Sequence, residues 1–247
     1  MAITICAHRG ASAYAPENTL EAFELAVQQG AHGVELDVHL TRDKEILVAH
    51  DERIDRVSDG IGAISDLTLT EIKRHLFNRE HPEYEGARAP TLREVYELLK
   101  PTGLYVNVEL KNSVKAYPGL EEKCLALAAD KGMEDRVVYS SFRHQSMVRM
   151  KELSSKAVCG LLYACVMVRP WEYAAALHMD ALHPLYTELS FTPDECQQAH
   201  EKGVQVNVWT VNDERNMRMV IEAGADMMIT NFPDRAVDLL KLIGAQG

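Results

Sequence analysis

Three acidic residues and two histidines carry the chemistry that can be read from this sequence. Glu35 and Asp37 stand two apart near the end of an apolar run, and Glu109 ends another run in the alternation Asn107, Glu109, Lys111. In an extended chain, residues two apart share a face. If the two runs are neighbouring strands, about 4.8 Å apart, the three carboxyl groups converge. They cannot all stay ionised without a counter-charge. A divalent cation balances them, and the all-oxygen set suits Mg²⁺ or Ca²⁺ rather than zinc. Ion pairs with nearby bases, Lys111 first, are the other way to balance them.

His8 and His50 flank this acidic cluster, His8 at the end of the first run and His50 at the end of a short returning strand. A pair of imidazoles that gives and takes protons near neutral pH suits general acid–base catalysis. Arg9 and Lys111 add positive charge at the same rim, one as a planar fork and one as a point charge, and both fit a phosphate. A cation, two histidines, Arg and Lys around one cavity point to phosphoryl-ester chemistry. Trp209, with Asn207 on the same strand face, either walls the pocket or packs in the core. His183, near a strand end, fits a site role or a structural one. His32, His75, His81, His144, His178 and His200 fall in helices or loops and are given no role.

The elements that must position these residues alternate along the chain. Apolar, β-branched runs predict strands at 3–8, 33–38, 104–110, 137–141, 157–163, 180–185, 204–210 and 226–230. Helical spacing follows at 19–29, 91–100, 119–132, 143–153, 170–177, 192–202, 213–223 and 234–243. Thr91 with Glu94 and Thr192 with Glu195 read as capping boxes, with Pro193 in a first helical turn that needs no N–H. Eight strand–helix units in about 250 residues predict a (β/α)₈ TIM barrel, whose site lies at the C-terminal ends of the strands. A doubly wound open sheet is the alternative. No Gly-rich nucleotide loop supports it, since Gly60-Ile61-Gly62 is followed by Ser65 where a third glycine would stand. Residues 46–50 read as a strand paired with the end of the second one. Residues 51–90, charged and only weakly helical at 68–76, read as an insertion over the barrel mouth. Residues 1–247 thus read as one barrel domain carrying that insertion.

Composition narrows the function. The chain has 247 residues, 47% hydrophobic and 26% charged, an ordinary soluble globular mixture. With 26 Lys and Arg against 37 Asp and Glu, the net charge is −11. That excess argues against a nucleic-acid partner and against docking on anionic membranes. The longest uncharged apolar stretch, 157–168, is shorter than the roughly 20 residues of a spanning helix, so no stable membrane insertion is expected. No signal peptide is visible at the N-terminus. Five cysteines, odd in number and without Cys-x-x-Cys, read as free thiols of a cytoplasmic protein. Oligomeric state is not legible.

Taken in order, His8-Arg9-Gly10, Pro16-Glu17-Asn18-Thr19, Glu35-Leu36-Asp37-Val38, His50-Asp51, Glu109-Leu110-Lys111 and Val208-Trp209-Thr210-Val211-Asn212 resemble the glycerophosphodiester phosphodiesterases, from residue 8 to about 232. The resemblance implies a TIM barrel with a small inserted subdomain. It implies metal-dependent hydrolysis of a small glycerophosphodiester to sn-glycerol 3-phosphate and an alcohol. By that resemblance His8 and His50 are acid and base, and Glu35, Asp37 and Glu109 bind Mg²⁺ or Ca²⁺. Arg9 and Lys111 then hold the phosphate. Related enzymes use the free glycerol hydroxyl as first nucleophile, giving a cyclic phosphate that water opens. One departure is Lys44, which stands where many members have Gly. Two other readings are a phospholipase-type phosphodiesterase acting on lysophospholipid or phosphoinositide head groups, and a non-catalytic barrel that binds an anion. Head-group choice is assigned to residues 51–90 and the later loops.

Overall fold

Parallel strands rich in β-branched residues close on themselves around the centre of the molecule. The computed structural model describes residues 3–244. Its strands are β1 (Thr4–His8), β2 (Gly33–Leu40), β3 (Ile46–Val48), β4 (Tyr105–Leu110), β5 (Val137–Ser141), β6 (Val158–Tyr163), β7 (Ala181–Pro184), β8 (Gln205–Val208) and β9 (Met227–Thr230). Its helices are α1 (Leu20–Gln28), α2 (Leu69–Ile72), α3 (Leu92–Leu99), α4 (Leu120–Lys131), α5 (His144–Leu153), α6 (Pro170–Ala176), α7 (Glu195–Glu201), α8 (Glu214–Glu222) and α9 (Pro233–Gly244). All strands but β3 pair in parallel, and the β1–β2 pairing closes the ring. This is a (β/α)₈ TIM barrel with a small inserted subdomain after its second strand. Among the described residues no helix is long and apolar enough to cross a membrane.

Strand residues divide by parity. Val34, Leu36, Val38, Val106 and Val108 join Phe23, Leu92, Val95 and Leu99 of the helices in the main core. The opposite parity lines the barrel, where Cys6, Met227 and Ile229 cluster with Tyr105 and Trp209. Gly33 belongs to this inner face because a Cβ there would stand 2.4 Å from the Tyr105 ring. Register then fixes the site. His8 lies opposite Glu35, Glu35 opposite Asn107, and Asp37 opposite Glu109.

Local signals hold at several helix starts. Thr19 caps α1, Asp213 caps α8, and Thr91 with Glu94 forms the expected capping box on α3. The expected box at Thr192 and Glu195 does not form. Helix α7 starts later, at Glu195, whose carboxyl group turns inward to accept from the Tyr163 hydroxyl. Thr192 instead continues the preceding turn, its N–H donating to the Glu188 carbonyl, and Pro193 precedes the helix. The expected helix at 68–76 contracts to α2, which carries a capping box of its own at Thr68 and Glu71.

Leu47 of β3 and the residues after it, Ala49, Ile54, Ile64, Ile72, Phe77 and Ala89, build a satellite core. The segment is tied to the loop after β1 by Arg56, whose Nη2 donates to Glu17 at 2.6 Å, and by the Tyr84 hydroxyl, which donates to the Tyr14 carbonyl.

The departure at Lys44 has a conformational meaning. The turn joining β2 to β3 holds Lys44 at φ +66°, a region that costs a residue with a Cβ about 1–2 kcal/mol. Lys44→Gly is therefore expected to stabilise the protein by about 1 kcal/mol. The readout is a higher urea midpoint at unchanged slope. A lower midpoint would mean that the lysine side chain contributes more than its backbone strain costs.

Candidate active site

At the C-terminal end of the barrel, a cleft open to solvent, with about 450 Å³ of empty space, is lined by His8, Arg9, Glu35, His50, Glu109, Lys111 and Trp209 among others. Seven of the eight residues singled out from sequence thus face one space. The eighth, Asp37, lies just behind it, under Arg9 and Lys111. One oxygen from each of Glu35, Asp37 and Glu109 lies within 4.8 Å of the others.

The electrostatics of the three acids are uneven. Burial, and then the charges of Asp37 and Glu109, push the Glu35 carboxyl well above the usual carboxylate range. Burial and Asp37 push Glu109 up to about 7, although the Lys111 ammonium sits 2.9 Å away. Burial would raise Asp37 too. The Arg9 guanidinium at 3.5 Å and Lys111 at 3.7 Å overcome that and hold it well below its ordinary value. Arg9 and Lys111 therefore neutralise about one carboxylate, and the other two are held ionised only at a cost. Three hard oxygen donors with excess negative charge fit a divalent cation better than they fit ion pairs alone.

Each histidine has a partner that fixes its proton. His8 donates from Nδ1 to the Asn231 side-chain carbonyl at 2.6 Å, which leaves Nε2 as the acceptor facing the site, 3.9 Å from Glu35. Burial first, and then Arg9, lower His8 to about 4, so it is neutral at pH 7. His50 donates from Nδ1 to the Asp51 carboxylate at 2.7 Å. Burial raises Asp51, but hydrogen bonds from Arg56 and His50 hold it down at about 2.

Several of these supports were not singled out from sequence. Asn18 donates to the Asp37 carboxylate at 2.9 Å and accepts from its backbone N–H. Glu17 bridges Arg9 and Arg56. Buried His39 anchors the His50 carbonyl through Nε2 at 3.1 Å and meets the Tyr117 hydroxyl through Nδ1. Glu17, Asn18 and Asp51 sit inside the motifs that carry the family resemblance, and that was their only signal. Asn231 had a positional one, directly after the last strand. Trp209 lines the cavity with Phe142 edge-on at 5.6 Å, and its indole N–H donates to the His183 carbonyl.

His183 does not reach the cavity. It lies fully buried in the barrel, accepting from Asn207 at Nε2 while Nδ1 has no partner among the described residues. Burial alone lowers it to about 3. The unfolded chain binds that proton near the ordinary pH of about 6.5. Stability from this residue is thus complete above pH 6.5 and is lost as pH falls toward 3. His183→Gln is expected to flatten the decline of unfolding free energy between pH 6.5 and 4. An unchanged slope would place the acid sensitivity elsewhere. His32 accepts from the Ile5 N–H and is structural.

A family model described as the glycerophosphoryl diester phosphodiesterase family matches residues 8–235. A glycerophosphodiester phosphodiesterase of Caldanaerobacter subterraneus subsp. tengcongensis is 39% identical over 242 residues, covering 98% of this chain and 99% of its own. An Oleispira antarctica phosphodiesterase, solved in complex with the product sn-glycerol-3-phosphate, has a TM-score of 0.84 at 29% identity, covering 96% of this chain and 97% of its own. A glycerophosphodiester phosphodiesterase structure from Parabacteroides distasonis gives 0.85 at 25% identity, with 98% of each chain covered.

Proposed function

The chain belongs to the glycerophosphoryl diester phosphodiesterase family and is a phosphoric diester hydrolase, and on that premise we propose a cation-dependent reaction in which His8 and His50 carry the protons. The products are sn-glycerol 3-phosphate and an alcohol. The observation that carries this reading is the convergence of three buried carboxyl oxygens within 4.8 Å, in a cavity flanked by both histidines.

Glu35, Asp37 and Glu109 would hold the cation through their carboxyl oxygens. Bound there, it would supply Lewis acidity toward the phosphate. Arg9 and Lys111, at the cavity wall, bind phosphate oxygens and offset the charge that grows in the transition state. Asn18 fixes Asp37 from behind, so that the carboxylate does not turn away.

His8 is the general base. Asn231 holds the Nδ1 proton, so the Nε2 lone pair is free to take a proton from the attacking hydroxyl, whether of glycerol or water. His50 is the general acid. Asp51 accepts from its Nδ1 and stabilises the imidazolium, whose other proton goes to the leaving alcohol. Arg56 in turn holds Asp51 in place, with its Nε 2.7 Å from the carboxylate. Trp209 and Phe142 supply an apolar wall for the carbon skeleton of the substrate.

Glycerophosphocholine tests the regiochemistry. With Mg²⁺ or Ca²⁺ the expected products are glycerol 3-phosphate and choline. Release of phosphocholine and glycerol would overturn the assignment of which bond is cut.

A further inference from the structure

We propose that the loops after β4, β5, β6 and β7 form a surface that docks on an anionic lipid bilayer, with the cavity mouth facing it. Five large apolar side chains stand exposed on these loops. They are Val114 (80%), Phe142 (39%), Val166 (59%), Val168 (91%) and Phe191 (71%). The four strands are consecutive parallel neighbours in the barrel. Their following loops therefore emerge side by side at the C-terminal end, around the same mouth that Phe142 lines. Single exposed apolar residues are ordinary, but a row of them on adjacent loop tips is a contact surface.

Charge selects the occupant. Lys115, Arg143 and Arg169 directly follow Val114, Phe142 and Val168, so three tips pair an apolar side chain with a cation. Arg143 has no acidic partner among the described residues. Lys115 stands 3.9 Å from Asp66, and Arg169 stands 3.5 Å from Glu172, both at exposed positions. The tip of Phe191 carries Asp194 instead of a base. Apolar tips that enter the headgroup–acyl boundary, with Lys and Arg at headgroup level, make a peripheral membrane-binding surface. The chain as a whole carries −11, so the remaining surface is repelled by the same lipids, and the orientation is set by this rim. A whole-chain charge count does not register these three cations, because it sums them with the acids carried elsewhere on the chain.

The test is co-sedimentation with vesicles of phosphatidylglycerol and phosphatidylcholine in equal parts, against vesicles of phosphatidylcholine alone. The wild type and a Val168→Asp, Phe191→Asp double variant are compared, and turnover of soluble glycerophosphocholine is followed for both. The expected result is binding to the anionic vesicles, weakened about tenfold or more in the variant, with equal turnover of the soluble substrate. No binding by the wild type, or equal binding by the variant, would overturn the proposal. So would a concentration-dependent dimer abolished by the same substitutions, because the occupant would then be a second copy. Absence of turnover in both proteins would count against the hydrolase reading alone and leave the docking result to stand or fall separately.

Discussion

His8→Ala and His50→Ala are each expected to lower kcat by about 10²–10⁴-fold, with the melting transition close to that of the wild type. Neither imidazole is part of the apolar core, so the fold survives their loss. The two variants are expected to differ in one respect. If His50 protonates the leaving alcohol, a substrate that leaves as p-nitrophenolate needs little acid catalysis. The deficit of His50→Ala should then shrink sharply on that substrate, while that of His8→Ala persists, because the attacking hydroxyl still needs a base. Near-wild-type activity in either variant would remove that histidine from the chemistry. A deficit that shrinks for His8→Ala instead would exchange the two roles.

Asp37→Asn is expected to have the second large effect. It keeps the shape of the side chain and the contact with Asn18, yet removes the one acid that Arg9 and Lys111 hold firmly ionised. A bound cation contributes several kcal/mol to the transition state, so turnover should fall by about 10²–10³-fold or more. The same variant carries a stability readout. Cation at 100 times its Kd should stabilise the wild type by about 2.7 kcal/mol, and EDTA should reverse the gain. In Asp37→Asn the melting curve should be nearly the same with cation and with EDTA. A variant that keeps both turnover and the cation-dependent rise would place the cation somewhere other than on these three acids.

Much of this was legible because strand parity is a local property. Glu35 and Asp37 share a face in any extended segment, and register brings Glu109 opposite Asp37 once β2 and β4 pair. The alternation of strands and helices likewise announces the barrel. Support from distant residues was not legible. Asn231 meets His8 across almost the whole chain, and nothing in the local pattern of either residue states that contact. Asn18 reaches Asp37 only because the loop after β1 folds back over the strand end. Thr192 and Glu195 have the spacing of a capping box, but a buried tyrosine hydroxyl competes for the glutamate and wins. The apolar rim was invisible for a related reason. Val114, Val168 and Phe191 lie far apart in sequence, and only the parallel pairing of β4 through β7 places their loops next to one another.

The most direct measurement is release of sn-glycerol 3-phosphate from glycerophosphodiesters of choline, ethanolamine, glycerol and inositol, in Mg²⁺, in Ca²⁺ and in EDTA. The three acids and two histidines predict release that needs a divalent cation and stops in EDTA, and the ranking of the four substrates reports the preferred head group. No release from any of them by folded, cation-loaded protein, or undiminished release in EDTA, would contradict the account.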